Sequence, residues 1–135
     1  MDAYSAGRGI RTYLPRILLA DAIWDVLLGV VLVLSPWRSL ANLLGLSAAR
    51  PWPVFVVLGV GSFAFSGLLV RGALGTGTAE VCRAAAIANT AAVVAVIVLL
   101  ALVGTLGSGW ALLLGVAGAG CAVFAVLEWA GIKKA

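Results

Sequence analysis

The sequence predicts an all-α membrane protein, a four-helix transmembrane bundle with a short amphipathic helix outside the membrane. Two observations lead to this fold class. Of the 135 residues, 64% are hydrophobic and only 10% are charged, whereas soluble domains carry roughly 45–50% apolar and about 25% charged residues. The apolar residues also fall into four runs of the length that a membrane requires, about 20 residues for a hydrocarbon core of roughly 30 Å.

The four runs define a single transmembrane domain that covers residues 1–135. The spans are expected at about 17–34, 54–70, 81–103 and 110–130. A signal peptide is not expected at the first run, because two aspartates interrupt it and three more spans follow.

A short helix is expected between the first two spans, at about 36–46. Ser35 suits the N-cap of a helix and Pro36 its first position, and Trp37 and several leucines then recur at helical spacing. Such a helix would lie on the outer membrane surface. The alternative is a plain connecting loop.

Positive charges are distributed unevenly between the two sides that the spans define. The side of the termini has Arg8, Arg11, Arg16, Arg71, Arg83, Lys133 and Lys134, and the other side has Arg38 and Arg50. Basic residues are enriched on the cytoplasmic side of membrane proteins. Both termini are therefore expected in the cytoplasm, in a multi-pass protein of the plasma membrane. The net charge of +4 is interpreted as a topology signal, so no nucleic-acid partner is expected.

Small residues recur along the fourth span at spacings that suit close helix packing. In lipid, small residues let helix backbones approach one another. We expect Gly115, Gly118 and Ala119 to form such a packing face inside one bundle; the alternative is a contact between two copies of the chain.

The first span contains two aspartates, Asp21 and Asp25, in the stretch LLADAIWDVLLG. Each costs about 2.5–3.5 kcal/mol at the centre of a span, which roughly cancels what the Leu, Ile and Val residues of this span contribute to insertion. The aspartates are therefore expected to face the bundle interior. At a spacing of four residues they share one helix face, and carboxylates so close are expected to share a proton or to meet a cation.

Other polar residues lie at a similar depth in the second and third spans. With the two aspartates they make the candidate intramembrane polar site, which comprises Asp21, Asp25, Ser66, Asn89 and Thr90. One interpretation is a cavity that opens to the cytoplasm, of the kind that marks ion or substrate pathways. The other is an internal network that fixes the bundle.

In that second interpretation, Asp21 would bond to Asn89 or pair with Arg71 or Arg83. Glu128, near the end of the fourth span, is expected to be merely interfacial.

Several kinds of site are not expected. The chain has no histidine and only two cysteines, Cys82 and Cys121, which are too few for a zinc site and too far apart along their spans to pair. Two aspartates alone would hold a metal weakly, and no phosphate- or dinucleotide-binding glycine motif occurs in a matching context. We therefore expect no metal, no cofactor and no enzymatic activity.

The chain resembles the small four-span integral membrane proteins of actinobacteria. The likeness lies in RILLADAIWDVLLGVVLVLSP followed by LLGL, in NTA at Asn89–Ala91, and in the closing LEWAGIKK. It is more remotely similar to DoxX-like four-span proteins, some of which accompany quinone-linked oxidoreductases. The resemblance supplies no catalytic residue.

Two functions remain open at this point. The first, which the sequence slightly favours, is a non-enzymatic accessory or assembly protein that binds a larger membrane complex or a lipid-like molecule; a homo-oligomer is a further candidate partner. The second is a proton-coupled carrier or channel for small solutes that uses Asp21 and Asp25. The bilayer is the expected environment in both.

Overall fold

A computed structural model describes residues 13–43, 52–102 and 108–134. These residues form five helices and contain no β-strand. The helices are α1 (Tyr13–Leu34), α2 (Arg38–Leu43), α3 (Trp52–Ala73), α4 (Thr78–Leu102) and α5 (Ser108–Lys134). The four long helices are each long and apolar enough to cross a membrane, and they pack together as the all-α bundle that the sequence predicts.

The long helices extend beyond the apolar runs. Helix α1 begins four residues before the predicted span, and α5 continues four residues after it. A short turn joins α3 to α4, in which Gly75 and Gly77 have positive φ angles of 97° and 64°. The Thr78 hydroxyl donates a 2.8 Å hydrogen bond to the Gly72 carbonyl. This bond ties the start of α4 to the end of α3.

The segment after α1 differs from its prediction. Ser35 does not cap the next helix, because its hydroxyl donates a 2.7 Å bond back to the Leu32 carbonyl at the end of α1. Helix α2 begins at Arg38 and its six residues make less than two turns. The remainder of the predicted helix, 44–46, lies outside the described residues. An amphipathic helix on the membrane surface therefore stays a prediction.

The four long helices form two closely packed pairs. We call α1 with α3 the first helix pair and α4 with α5 the second helix pair. In the first pair the backbones approach so closely that a Cβ atom added to Gly59 would lie 2.9 Å from the carbonyl oxygen of Gly29. In the second pair, a Cβ atom added to Gly118 would lie 2.9 Å from a methyl group of Val96. Contacts between the two pairs are sparser than contacts within them.

Contacts at both ends show how the helices run. Leu18 lies beside Gly72, so α1 begins where α3 ends. At the opposite end the rings of Phe55 in α3 and Trp110 in α5 stack with centroids 4.2 Å apart. The helices therefore alternate in direction, and the end where α1 and α4 begin is called the basic end. It lies nearest to Arg16, Arg71, Arg83 and Lys133.

The buried core lies toward the basic end and consists largely of small and aliphatic side chains. Its members are Leu14, Leu18, Ala22, Leu69, Val81, Cys82 and Ala85. Many large apolar side chains point outward instead, as in Val57 and Leu112, which are 69% and 70% exposed. This inverted distribution is what lipid as solvent allows.

The predicted packing face of α5 is only partly used inside the chain. Gly118 packs against Val96, as described above. Gly115 has no neighbouring atom within 4 Å of an added Cβ, and Ala119 is exposed. Two other glycines of α5 make close contacts with α1, Gly120 against the indole of Trp24 and Gly131 against Leu14. The face turned inward is thus rotated away from the row of Gly115 and Ala119.

Candidate functional site

Helix α1 carries Asp21 and Asp25 one turn apart on its buried face. Asp21 has no exposed surface and Asp25 is 8% exposed. The same face of α1 contributes Leu18 and Ala22 to the core. The structure therefore places both aspartates in the bundle interior, where the sequence predicts them.

Asn89 of α4 lies opposite Asp21 and bonds to two carboxyl groups. Its side-chain amide donates a 2.9 Å hydrogen bond to Oδ2 of Asp21 and a 3.1 Å bond to Oε2 of Glu128 in α5. An amide has two N–H donors, so Asn89 can serve both acids at once. We call Asp21, Asp25, Asn89 and Glu128 the acid–amide cluster.

Glu128 is the member of this cluster that sequence reasoning missed. It was expected at the interface, yet it has no exposed surface. It lies six residues before Lys134, about 9 Å from the end of α5, and it faces inward. A sequence signal exists, because Gly118, Cys121, Ala125 and Glu128 recur at spacings of three, four and three residues, and all four are buried.

The carboxyl groups of the cluster outnumber its donors. Asp21 and Glu128 both accept from the side-chain amide of Asn89, so their carboxyl groups lie around one donor group. One oxygen of each of the three acids, Asp21 Oδ1, Asp25 Oδ2 and Glu128 Oε1, is buried without a hydrogen-bond partner. An ionised carboxylate only accepts hydrogen bonds, so a proton on one of the acids would supply the cluster with a further donor.

The two predicted cationic partners lie elsewhere. Arg71 and Arg83 are both exposed, and within the described ranges neither forms an ion pair with Asp21. Long basic side chains near helix ends reach toward the aqueous interface, which accounts for their orientation. The predicted bond from Asp21 to Asn89 is thus formed, and the alternative pairings with Arg71 or Arg83 are wrong.

Ser66 and Thr90 are the remaining predicted site residues, and neither bonds to a carboxyl group of the cluster. Ser66 is buried, and its hydroxyl donates a 3.0 Å bond to the carbonyl of Ala22, between Asp21 and Asp25 in the chain. Thr90 lies on the exposed side of α4. Its hydroxyl donates to the Ala86 carbonyl and accepts a 3.2 Å bond from the indole N–H of Trp129.

The two cysteines are both buried and unpaired. The Cys82 thiol donates a weak 3.9 Å bond to the backbone carbonyl of Glu128, so this cysteine packs directly beside the cluster. In the ranges 13–43, 52–102 and 108–134, no group of three His, Cys, Asp or Glu side chains is arranged to hold a metal ion.

The acid–amide cluster lies at the contact between the two helix pairs. Asp21 and Asp25 belong to the first helix pair, whereas Asn89 and Glu128 belong to the second. A proton added to or removed from these acids therefore changes a hydrogen bond that joins the two pairs. No family model, curated protein or solved structure matches this chain.

Proposed function

We propose that this integral membrane protein is a proton-coupled carrier of small solutes whose acid–amide cluster binds the coupling proton. The observation that carries this proposal is a set of three buried carboxyl groups, two of which share one amide, with one oxygen of each acid unpartnered. Ionisable residues inside membrane spans are costly and commonly mark proton relays or solute pathways. A network kept only to hold the bundle gains nothing from buried acceptors without donors.

The arrangement of the helix pairs supports coupling. Each pair is closely packed, the contact between pairs is sparser, and the Asn89–Asp21 bond crosses that contact. Alternating access in many transporters is a rocking of one helix bundle against another around a central site. Protonation of the cluster would bias such a motion by making or breaking bonds between the pairs.

Proton-driven uptake into proteoliposomes tests this proposal. Vesicles with an imposed proton gradient are given labelled amino acids, sugars and small organic cations in turn. We expect at least one solute to accumulate with the wild type and not with Asp21→Asn or Glu128→Gln. Glu80→Gln is the matched control, because Glu80 is an exposed carboxyl group at the start of α4. Loss of uptake in the control as well would contradict a role for the buried acids.

A second candidate is a non-enzymatic accessory or assembly protein of a larger membrane complex. The closure of the cluster favours it, because Asp21 and Glu128 have no exposed surface and a carrier must admit water or solute to its site. Under this function the amide replacements would leave partner capture intact after mild extraction, and no labelled solute would follow the proton gradient.

For both candidates we infer that the two termini face the cytoplasm. The inference is supported by the charges near the basic end, where Arg16, Arg71, Arg83 and Lys133 lie. A reporter that is active only in the cytoplasm should work when it is fused to either terminus. Activity of an export-dependent reporter at the C-terminus would overturn this orientation.

A further inference from the structure

A groove runs along the outer surface of the second helix pair, next to the buried face that carries the acid–amide cluster. Its volume is about 510 Å³ and it is open on the outside of the bundle. It is lined by Thr90, Ala125, Val126, Trp129, Ala130 and Lys133. Apart from the hydroxyl of Thr90, the indole N–H and the ammonium group of Lys133, the lining side chains are apolar.

One wall of the groove is held in place by polar bonds. The indole N–H of Trp129 donates to the Thr90 hydroxyl at 3.2 Å, and that hydroxyl donates to the carbonyl of Ala86 at 2.7 Å. The tryptophan therefore uses its only donor to fix its ring against α4. A fixed ring preserves the groove for an occupant.

The groove has one charged end. Lys133 follows Trp129 by one helical turn, so both lie on the same face of α5, and the lysine is exposed at the basic end. Ala125 lies eight residues before Lys133, about 12 Å deeper along the helix axis. A cation at the interface and an apolar trough that leads into the hydrocarbon match an amphiphile with an anionic head.

We propose that this groove binds an anionic phospholipid of the surrounding bilayer. The lipid phosphate would accept hydrogen bonds from the Lys133 ammonium group, and an acyl chain would lie between Trp129 and Val126 toward Ala125. Basic pockets between transmembrane helices bind anionic headgroups in this way. The site stands apart from the proton-binding proposal, because Asn89 and Glu128 face inward while their chain neighbours Thr90 and Trp129 line the groove.

Native mass spectrometry of the full chain tests the site, with phosphatidylglycerol and phosphatidylcholine added at equal concentration. We expect the wild type to retain phosphatidylglycerol preferentially. Lys133→Gln should reduce that preference about fivefold, which corresponds to roughly 1 kcal/mol for one lysine near an anionic surface. Arg16→Gln is the control, because Arg16 is an exposed basic residue of α1 at the same end, away from the groove, and it should leave the preference unchanged.

A second pair of variants tests the trough independently of charge. Ala130 and Ala119 are both exposed on α5, but only Ala130 lines the groove. Ala130→Phe should abolish retention of phosphatidylglycerol, whereas Ala119→Phe should not. Equal retention of both lipids by the wild type, or equal effects of the two replacements in either pair, would overturn the proposal. So would a change from dimer to monomer in Ala130→Phe, since a second copy of the chain would then be the occupant.

Discussion

The two helix pairs differ in how polar side chains help to hold them together. In the first pair, α1 and α3 meet through glycine backbones at Gly29 and Gly59, and the hydroxyl of Ser66 donates to a backbone carbonyl of α1. In the second pair, α4 and α5 are joined by two polar bonds, one inside from Asn89 to Glu128 and one outside from Trp129 to Thr90. Close backbone approach and interhelical hydrogen bonds are the two ways in which membrane helices associate. Both pairs combine the two, but among the residues that the structure describes, only in the second pair do polar side chains of both helices bond to each other.

The carboxyl group of Asp21 in α1 finds its hydrogen-bond donor outside its own helix pair. The donor belongs to the second pair, where Asn89 lies opposite Asp21. There the amide of Asn89 is shared between an acid from each pair. The contact between the pairs thus contains both the acids proposed to bind a proton and a hydrogen bond that holds the pairs together.

Removal of the amide of Asn89, which Asp21 and Glu128 share, should have the largest effect on stability. Asn89→Leu has nearly the same volume but deletes both hydrogen bonds and leaves two buried acids without a donor. We expect a loss of about 2–4 kcal/mol in the free energy of unfolding. Equilibrium unfolding in mixed detergent micelles measures it, and a variant as stable as the wild type would show that the acids do not need the amide.

A methyl group at Gly120 should disturb the contact between the pairs. An added Cβ at this position would overlap the indole ring of Trp24, so α1 and α5 must separate or the ring must move. We expect a loss of up to about 3 kcal/mol for Gly120→Ala. Gly115→Ala on the same helix is the control, because nothing lies within 4 Å of its added Cβ. Equal stabilities of the two variants would mean that Trp24 does not pack against α5.

A methyl group at the glycine contact of the first pair should cost somewhat less stability than one at Gly120. In Gly59→Ala the new methyl group would lie 2.8 Å from a methyl group of Val33 and 2.9 Å from the Gly29 carbonyl oxygen. We expect a loss of about 1–2 kcal/mol. Gly61→Ala, in the same helix and open to surrounding space, should be neutral in the same unfolding assay. A neutral Gly59→Ala would mean that the close approach of Gly29 and Gly59 does not hold the first pair together.

Removal of the outer hydrogen bond of the second pair should have the smallest effect on stability. Thr90→Val removes the acceptor for the Trp129 indole while preserving the shape of the side chain. Interhelical hydrogen bonds in membrane proteins average about 0.6 kcal/mol, and we expect a loss of this size. A loss as large as that of Asn89→Leu would mean that the outer bond from Trp129 to Thr90 stabilises the protein as much as the inner bonds of Asn89 do.

The sequence was sufficient to predict the four spans but not the rotation of each helix about its axis. Lengths and apolar runs identify α1, α3, α4 and α5 because the bilayer thickness sets them. Rotation is harder, since the lipid-facing and core-facing sides of these helices are both apolar and hydrophobic periodicity does not distinguish them. Asn89 and Thr90 were therefore assigned to one site, although the structure turns one inward and the other outward.

The same ambiguity affected α5. Gly115 and Ala119 fit a packing row as well as Gly118 does, and only the partner helices show which of them is covered. The distance of Glu128 from the end of the helix predicts an interfacial position, and this prediction is wrong because the helix face that carries Glu128 is turned inward. The bond between Asp21 and Asn89 was predictable, because both are polar groups at similar depth with few other partners in the spans.

Infrared spectroscopy of the carboxyl groups in lipid bilayers tests the central claim, that the acid–amide cluster holds a proton at the contact between the two helix pairs. At neutral pH the wild type should show the C=O stretching band of a protonated carboxyl group. Asp21→Asn and Glu128→Gln should each shift or weaken that band, and Glu80→Gln should leave it unchanged. A wild-type spectrum that contains only ionised carboxylates at neutral pH would contradict a proton held by the cluster and, with it, the proposed coupling.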